Sequence, residues 1–408
     1  MRTQQSYRAG RYVTQPREYS AFIPAPLPPD PPVDMTGKLN RCLSDADRAL
    51  GRLDGVASLL PNPDLFVAMY VRHEAVLSSQ IEGTQSTLED VLEYETGAAP
   101  DTCPRDVQEV VNYVHAMNYG LERLEEFPLS LRLIREIHGK LMEGVRGRHR
   151  NPGQFRESQN WVGPMGTNLD RAEYVPPPPH EMMRALGNLE EFLHDDNSMP
   201  VLIHCGLAHA QFETIHPFLD GNGRIGRLLI TFLLCHREVL ERPLLYLSYY
   251  LKSNRSEYYE RLMKVRHQGE WEGWLEFFLI GVLETSRSAT ETAREILALR
   301  ESSRHRVGER FSGSPNALRL LDYAFERPVL SIRMAEDFLD CSYGTARNLV
   351  GDFEELGLLR EITGQKRNRR YRFDPYLEVF ERQSLPTPGE EELREIATTE
   401  SDMADEDS

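Results

Sequence analysis

The segment from position 216 to 227 combines a flexible backbone with charged side chains, and it reads HPFLDGNGRIGR. Its Gly-Asn-Gly run permits a left-handed turn and close approach of the backbone to a ligand. An apolar helical pattern follows directly. Backbone amides in such a turn, together with the positive end of a helix dipole, form a cradle for anions. The segment therefore predicts a phosphate-binding site.

The charged side chains of this segment indicate what the phosphate belongs to. Arg224 and Arg227 are three residues apart and share a helix face, so two guanidinium groups could grip a polyphosphate. Asp220 is a single carboxylate of the kind that shares Mg²⁺ with substrate phosphates. His216 is a general base suited to neutral pH. Together they predict transfer chemistry on a magnesium-bound polyphosphate.

The same segment resembles the signature of the Fic family, H-x-F-x-[D/E]-G-N-G-R-x-x-R, at every defined position. The resemblance implies a protein adenylyltransferase that moves AMP from ATP to a Ser, Thr or Tyr hydroxyl of a target protein. His216 would be the catalytic base and Asp220 the Mg²⁺ ligand. The phosphates would be bound by the backbone and side chains of Gly221, Asn222, Gly223, Arg224 and Arg227. Related kinases of the Doc type carry lysine where this chain has Gly223, which favours AMP transfer here. The alternative is a buried turn with a chance basic face.

A second segment, SSQIEG at residues 78–83, resembles the inhibitory motif of the family, [S/T]-x-x-x-E-[G/N]. Ser78 and Glu82 share a helix face, and Gly83 is a helix stop. A glutamate at a helix C-terminus is opposed by the dipole, which favours a cationic partner. The resemblance makes that partner Arg227 and implies autoinhibition, because the ion pair would occupy the γ-phosphate position. The alternatives are a solvated surface glutamate, or a glutamate that also activates water to remove AMP from targets.

Two further segments resemble parts of the family's substrate site. Residues 154–162 and 172–175 predict a β-hairpin, the flap that would align an extended target segment, with a plain surface hairpin as the alternative. The adenine wall would be formed by Tyr249, Tyr250, Ser253, Asn254 and Tyr258. Tyrosines at helical spacing also occur in helix cores. His204 and His209 are predicted to be packed or capping residues rather than metal ligands.

The C-terminal part predicts a separate module. Residues 330–339 and 343–356 read as two helices joined by a tight turn, and a hairpin at 360–374 follows, with five basic residues at 366–372. This pattern resembles a winged helix-turn-helix domain. It could contact DNA through Tyr343–Arg347 and the hairpin, or instead contact proteins or form a dimer. A DNA-binding regulator whose Fic core serves autoregulation, and a scaffold with an inactive core, are the alternative functions.

Hydrophobic periodicity gives the overall organisation. We expect a mainly α fold with a Fic-type helical core, a small hairpin flap and a winged helix. The predicted parts are a Pro-rich arm with a first helix (1–60), the catalytic domain with its inhibitory helix (61–300), a polar linker (301–314), the winged helix (315–382) and an acidic disordered tail (383–408).

Composition limits the class of protein. The 408 residues carry a net charge of −17, of which residues 390–408 contribute −8, so nucleic acid is not favoured as the main partner. The five cysteines are scattered without a C-x-x-C pair, which argues against disulfides and zinc. No apolar run has the length of a membrane helix, and the N-terminus does not resemble a signal peptide. We expect a cytoplasmic protein that uses ATP and Mg²⁺ and is compatible with a homodimer.

Overall fold

The protein is described from a computed structural model that covers residues 8–16, 19–58, 63–96, 105–144, 151–163, 168–195, 199–312 and 314–383. It divides into two units, residues 1–291 and 292–408. Nearly all of the predicted acidic tail lies outside the described residues. None of the helices in the described ranges is long and apolar enough to cross a membrane.

The first unit is mainly helical, which confirms the predicted mainly α class. Its strands are β1 (Gly10–Thr14) and β2 (Ser20–Pro24), an antiparallel pair. Its helices are α1 (Gly37–Ala57), α2 (Pro63–Ile81), α3 (Leu88–Glu95), α4 (Arg105–Leu124), α5 (Leu131–Leu141), α6 (Pro179–Leu193), α7 (Val201–Ile215), α8 (Asn222–His236), α9 (Ser248–Ser253) and α10 (Arg255–Gln268). Helix α11 (Trp271–Phe311) begins in this unit and continues into the second.

Helix α7 is the centre of the first unit. Every residue from Leu202 to Ile215 is buried, because the helix is apolar on all sides and must be surrounded. Helix α8 packs against it and is almost as buried. Trp274 of α11 is fully buried and donates its indole N–H to the Gly206 carbonyl at 2.8 Å. The loop that joins α7 to α8 is therefore held between two buried helices.

The second unit contains the two helices and the hairpin predicted for the C-terminal module, together with two helices and a strand that were not predicted. In chain order they are α12 (Pro315–Glu326), β3 (Val329–Ser331), α13 (Ile332–Leu339), α14 (Tyr343–Glu355), β4 (Arg360–Glu361), β5 (Arg370–Arg372) and α15 (Asp374–Gln383). The strands form one antiparallel sheet in the order β3-β5-β4. Helix α13 begins two residues later than predicted, because the Ser331 side chain accepts from the Met334 amide and caps it.

The structure differs from the predicted linker at 301–314. Helix α11 runs through it to Phe311. The segment is polar, but it is rich in Arg and Glu, which favour helix. It contains no proline, and Pro315 follows directly after it. The polar composition of this segment therefore reflects an exposed helix and not a linker. The Pro-rich arm also contains a pair of strands that was not predicted, since β1 and β2 pair within it.

Candidate active site

His216 ends α7 in the left-handed backbone conformation, with φ 49° and ψ 60°. This conformation is costly for any residue with a Cβ atom. Hydrogen bonds hold it in place. The His216 amide donates to the Phe212 carbonyl at 2.9 Å, and the His216 carbonyl accepts from Arg156 Nε at 3.0 Å and from Asn160 Nδ2 at 3.3 Å. The backbone that carries the imidazole is thus fixed by surrounding residues.

The environment of the His216 ring favours its neutral form. Burial, and then the positive charges of Arg266 and Arg156, lower the pKa of His216 to about 3. Arg266 itself is held against the end of α7, where it donates to the Thr214 hydroxyl and the Glu213 carbonyl, each at 3.2 Å. At neutral pH the imidazole is therefore unprotonated, which is the state that a general base requires.

The Asn222 side chain bonds to the backbone of its own loop. Its Oδ1 accepts from the Phe218 amide and its Nδ2 donates to the Phe218 carbonyl, both at 2.8 Å. Both polar groups of this buried side chain are therefore used inside the loop. The phosphate contact predicted for the Asn222 side chain would have to replace one of these bonds.

The N-terminus of α8 retains the geometry of an anion site. Gly221 is its N-cap residue, with φ 75°, and no side chain in the described part of the chain caps this helix end. The first amides of a helix have no partner within it, so they remain available for an anion. A Cβ atom on Gly221 would lie 3.1 Å from Met142 Sδ and 3.5 Å from His138 Nε2. The loop therefore needs glycine at this position for space as well as for conformation.

Asp220 stands at the mouth of this helix end, and its Oδ1 accepts from the Gly221 amide at 2.7 Å. Within the described ranges there is no group of three or more His, Cys, Asp or Glu side chains that could hold a metal ion. A half-buried carboxylate beside uncapped amides fits a Mg²⁺ ion that takes most of its ligands from phosphates and water.

Arg227 is held by the inhibitory-motif segment rather than exposed to the site. Its Nε donates to Ser78 Oγ at 2.7 Å, and its Nη2 donates to the Ser78 carbonyl at 3.0 Å and to Glu82 Oε1 at 2.7 Å. The structure thus contains the ion pair that the resemblance implies. Burial opposes ionisation of Glu82, but Arg227 holds the pKa of its carboxyl below the ordinary value. Helix α2 ends at Ile81, just before Glu82.

Arg224 has a partner that the sequence did not indicate. Its Nη1 lies 3.2 Å from Glu109 Oε2 of α4, and both side chains are buried. Its Nη2 lies 3.8 Å from Met142 Sδ. A glutamate among the valines of α4, at 107, 110 and 111, is the signal that could have found it, because a charge on an apolar face needs a partner. Both arginines predicted to bind phosphates are therefore engaged with carboxylates in this state.

The predicted flap is only partly formed. Its pairing is a single antiparallel bridge between Val162 and Tyr174, and a short 3-10 helix at Leu169–Arg171 precedes the second half. The intervening residues 164–167 lie outside the described ranges. A block of four prolines follows the second half at 176–179 and removes the amides that a longer ladder would need. Pairing with a target would therefore involve an irregular segment.

The residues predicted for the adenine wall lie on and after α9. Tyr249 and Tyr250 are half-buried, and the Tyr250 ring packs 5.0 Å from Phe277. Ser253 is exposed, and Asn254 donates to the Tyr250 carbonyl at 3.0 Å. Tyr258 differs, because it is fully buried.

The two other histidines singled out in the sequence are packed in the core, as predicted. His209 Nε2 lies 2.9 Å from the Tyr258 hydroxyl and its Nδ1 lies 2.8 Å from the Gly226 carbonyl. His204 Nε2 lies 2.8 Å from the Phe192 carbonyl. Tyr258 therefore belongs to the core beneath the site rather than to an adenine wall.

A base on a strained turn, an uncapped helix N-terminus and a nearby carboxylate are the groups expected of a phosphate-binding transfer site. Comparison with known families agrees with this class. Residues 40–122 match the family described as Fic/DOC family N-terminal, and residues 128–234 match the Fic/DOC family. The part of the chain that contains the site is therefore similar to the Fic/DOC family.

Relatives and solved structures extend the comparison. The chain is 29% identical over 205 residues to the protein adenylyltransferase Fic of Drosophila grimshawi, covering 48% of this chain and 38% of that protein. It is 30% identical over 193 residues to a probable protein adenylyltransferase of Aquifex aeolicus, covering 46% of this chain and 54% of that protein. The chain thus spans only part of these relatives. A Fic family protein from Desulfovibrio desulfuricans shares the fold, with a TM-score of 0.54 and 23% identity over 84% of this chain and 97% of that one.

Proposed function

We propose that this protein transfers AMP from ATP to a hydroxyl side chain of a target protein. The observation that carries the proposal is the turn between α7 and α8, which sets His216 beside the uncapped N-terminus of α8. The relatives named protein adenylyltransferases support the choice of transferred group.

Each residue of the site has a separate role in the proposed reaction. His216 takes the proton of the target hydroxyl, whose oxygen then attacks the α-phosphorus. The new P–O bond leaves AMP on the target, and the bond to the departing pyrophosphate breaks. The amides at the start of α8 and the freed guanidinium groups of Arg224 and Arg227 stabilise the charge on the phosphates. Asp220 would hold Mg²⁺, which supplies charge neutralisation on the phosphates.

The ion pair between Glu82 and Arg227 supports autoinhibition of this reaction, which we call the brake. Arg227 is 3% exposed and its donors point to Ser78 and Glu82. A γ-phosphate could use this guanidinium only if the Glu82 carboxylate moved away. The Glu82 side chain is 36% exposed, so it can swing into solvent without leaving a buried gap. The brake is therefore a removable contact at the end of α2.

The test uses ATP labelled at the α-phosphate, with the whole chain and a cell lysate as acceptor. We expect label on protein to increase in Glu82→Gly and to vanish when His216→Ala is added to it. Gln85→Gly is a matched control, since it changes an exposed residue just after the same helix. If no variant labels protein although ATP binds, the proposed function is wrong.

Glu82 could also serve removal of AMP, since its carboxylate reaches the same phosphate position. We hypothesise that it activates water for that reaction. The measurement is the loss of label from a purified, AMP-carrying target. Loss that is no faster with the unmodified chain than with Glu82→Gly would exclude this activity.

DNA binding by the second unit is the second candidate function. Its support is a pair of capped helices, α13 and α14, followed by a hairpin loop whose Lys366, Arg367 and Arg369 are exposed. Tyr343 is 48% exposed at the start of α14. A salt-dependent, sequence-selective shift of DNA that is lost in Arg367→Glu would support it, and equal weak binding to all sequences would not.

A further inference from the structure

His138 of α5 lies outside the signature, yet its buried ring joins two loops of the site. It is 1% exposed. Its Nδ1 accepts from the Gly153 amide at 2.9 Å, and its Nε2 lies 3.1 Å from the Asp220 carbonyl. Because Nδ1 accepts, the ring proton resides on Nε2, which donates to Asp220. One imidazole therefore bonds to the backbone of two loops that are far apart in the chain.

The same ring is also a packing surface for the loop. It stacks on Phe218 with ring centres 3.7 Å apart and an angle of 4° between the planes. Phe218 is fully buried. Gly221 passes so close that an added Cβ atom would lie 3.5 Å from His138 Nε2. The segment from Phe218 to Gly221 thus packs closely against this side chain.

The loop on the other side of His138 leads to the catalytic histidine. Gly153 is three residues before Arg156, whose guanidinium donates to the His216 carbonyl at 3.0 Å. The amide of Arg156 also donates to the Pro217 carbonyl at 2.9 Å. His138 therefore connects the Asp220 end of the turn, through Gly153 and Arg156, with the His216 end.

We propose that His138 is a positioning residue of the transfer reaction, which sets Asp220 and the start of α8 in register with the segment that holds His216. This inference rests on the proposed function for its effect on rate. The bond that matters is the one from Nε2 to the Asp220 carbonyl, because it fixes the residue directly before the helix N-terminus. A buried histidine that only fills space would be replaceable by any side chain of similar shape.

Three substitutions separate these roles in the Glu82→Gly background. In His138→Gln the side-chain amide reaches the position of Nε2 and can still donate to Asp220. In His138→Asn it reaches the position of Nδ1 and can accept only from Gly153. His138→Phe keeps the ring stacked on Phe218 and loses both bonds.

We expect AMP transfer by the Asn and Phe variants to fall about 10- to 100-fold in kcat, since a loop displaced by about 1 Å loses that much. The Gln variant should retain at least about ten times the kcat of the Asn variant, with smaller changes in the KM for ATP. Equal losses in Gln and Asn that follow their thermal midpoints would mean that His138 is only structural.

A second measurement is independent of the reaction. Hydrogen exchange of the amides in residues 218–223, measured without ATP, should be faster in His138→Asn and His138→Phe than in His138→Gln. If the Glu82→Gly chain transfers no AMP, the proposed function fails while this comparison still decides the role of His138. Equal exchange in Gln and Asn overturns the inference even when transfer is intact.

Discussion

A left-handed residue with a side chain costs about 1–2 kcal/mol relative to its ordinary conformation. At His216 that cost is offset by donors from Arg156 and Asn160, neither of which belongs to the signature segment. The same two side chains contact other loop carbonyls, at Ser158 and Phe218. The position of the base is therefore a property of the residues before α6 as much as of the signature itself.

The low pKa of His216 gives a prediction for the pH dependence of AMP transfer. An ordinary histidine with a pKa near 6.5 would lose about 30-fold in kcat/KM between pH 8 and pH 5. Because the pKa of His216 is lowered to about 3, it stays unprotonated over this range. We expect kcat/KM of Glu82→Gly to show no acid limb near pH 6.5. The Glu82 carboxylate raises the pKa of His216, so the Glu82→Gly substitution should lower that pKa further.

The check is kcat/KM from pH 5 to pH 8 at saturating Mg²⁺, with the thermal midpoint measured alongside as a control for folding. The acid limb of kcat should lie at higher pH than that of kcat/KM, because bound phosphates favour the imidazolium. A limb of kcat/KM at the ordinary histidine pKa would contradict the buried, arginine-flanked environment described here.

A substitution at Gly223 tests the Glu82–Arg227 contact by steric displacement of the carboxylate rather than by removal of its charge. A Cβ atom at this position would lie 2.1 Å from Glu82 Oε1 and 3.0 Å from Arg227 Nη1. Gly223→Ala should therefore push the Glu82 carboxylate aside. We expect AMP transfer to rise about 5-fold, which corresponds to weakening the contact by about 1 kcal/mol. The measurement is label transfer by the single variant.

The control for this prediction is Gly223→Ala in the Glu82→Gly background. No gain is expected there, since the displaced carboxylate is already absent. A similar rise in both backgrounds would show that the methyl group acts on the phosphate site itself and not through Glu82.

At the scale of elements, the sequence was informative where the relevant residues are close along the chain. The twelve-residue signature predicts its own turn, and Gly83 predicts the end of α2 within two residues. His138 and Glu109 were not predicted, because they come from α5 and α4 and meet the loop only in three dimensions. His138 gave no signal in the sequence, whereas the position of Glu109 among the valines of α4 indicates a buried charge but not its partner.

The strand errors have a local physical cause. The β1 and β2 segments, GRYVT and SAFIP, carry the aromatic and β-branched residues typical of strands, but the prolines that follow them dominated the prediction of an extended arm. The β2 strand then meets the flap region, where the Phe22 amide donates to the Val175 carbonyl at 2.9 Å. Single contacts of this kind depend on the packing of the whole unit and cannot be inferred from spacing.

The packing of α7 against α8 buries a carboxylate that should make stability depend on pH. Glu213 of α7 is 7% exposed, and its Oε1 has no hydrogen-bond partner in the described part of the protein. Burial raises its pKa to about 7, although Arg227 acts in the opposite sense. A carboxyl whose folded pKa is raised stabilises the fold below its unfolded pKa of about 4.5, and this stability is lost as the pH rises to about 7.

Glu213→Gln should remove this dependence. Relative to the unmodified chain, its stability should increase by up to about 3 kcal/mol from pH 5 to pH 8, since each pKa unit corresponds to about 1.4 kcal/mol. The measurement is the thermal midpoint of both proteins at the two pH values. Glu191→Gln, at an exposed position of α6, is the matched control and should show no such gain. A constant difference between Glu213→Gln and the unmodified chain would contradict the prediction.

At the scale of the whole molecule, the residues proposed for catalysis and for the brake all lie in the first unit. The boundary between the units falls at 291/292, inside α11, and the first unit keeps a core of its own around α7. Residues Trp271 to Glu291 supply the α11 side chains that pack in that core, including Trp274 and Phe278. The first unit therefore contains the physical basis of both proposed properties.

We therefore expect a chain of residues 1–291 to transfer AMP within about 3-fold of the full chain when both carry Glu82→Gly, since the groups that act on ATP are retained. The shortened chain should also keep the brake, so that restoring Glu82 lowers transfer by the same factor in both lengths. Label transfer by the four proteins, with thermal unfolding to show that the short ones fold, gives the comparison. A brake factor that is lost on shortening would place part of the control in residues 292–408. An equal factor would assign both catalysis and its restraint to residues 1–291.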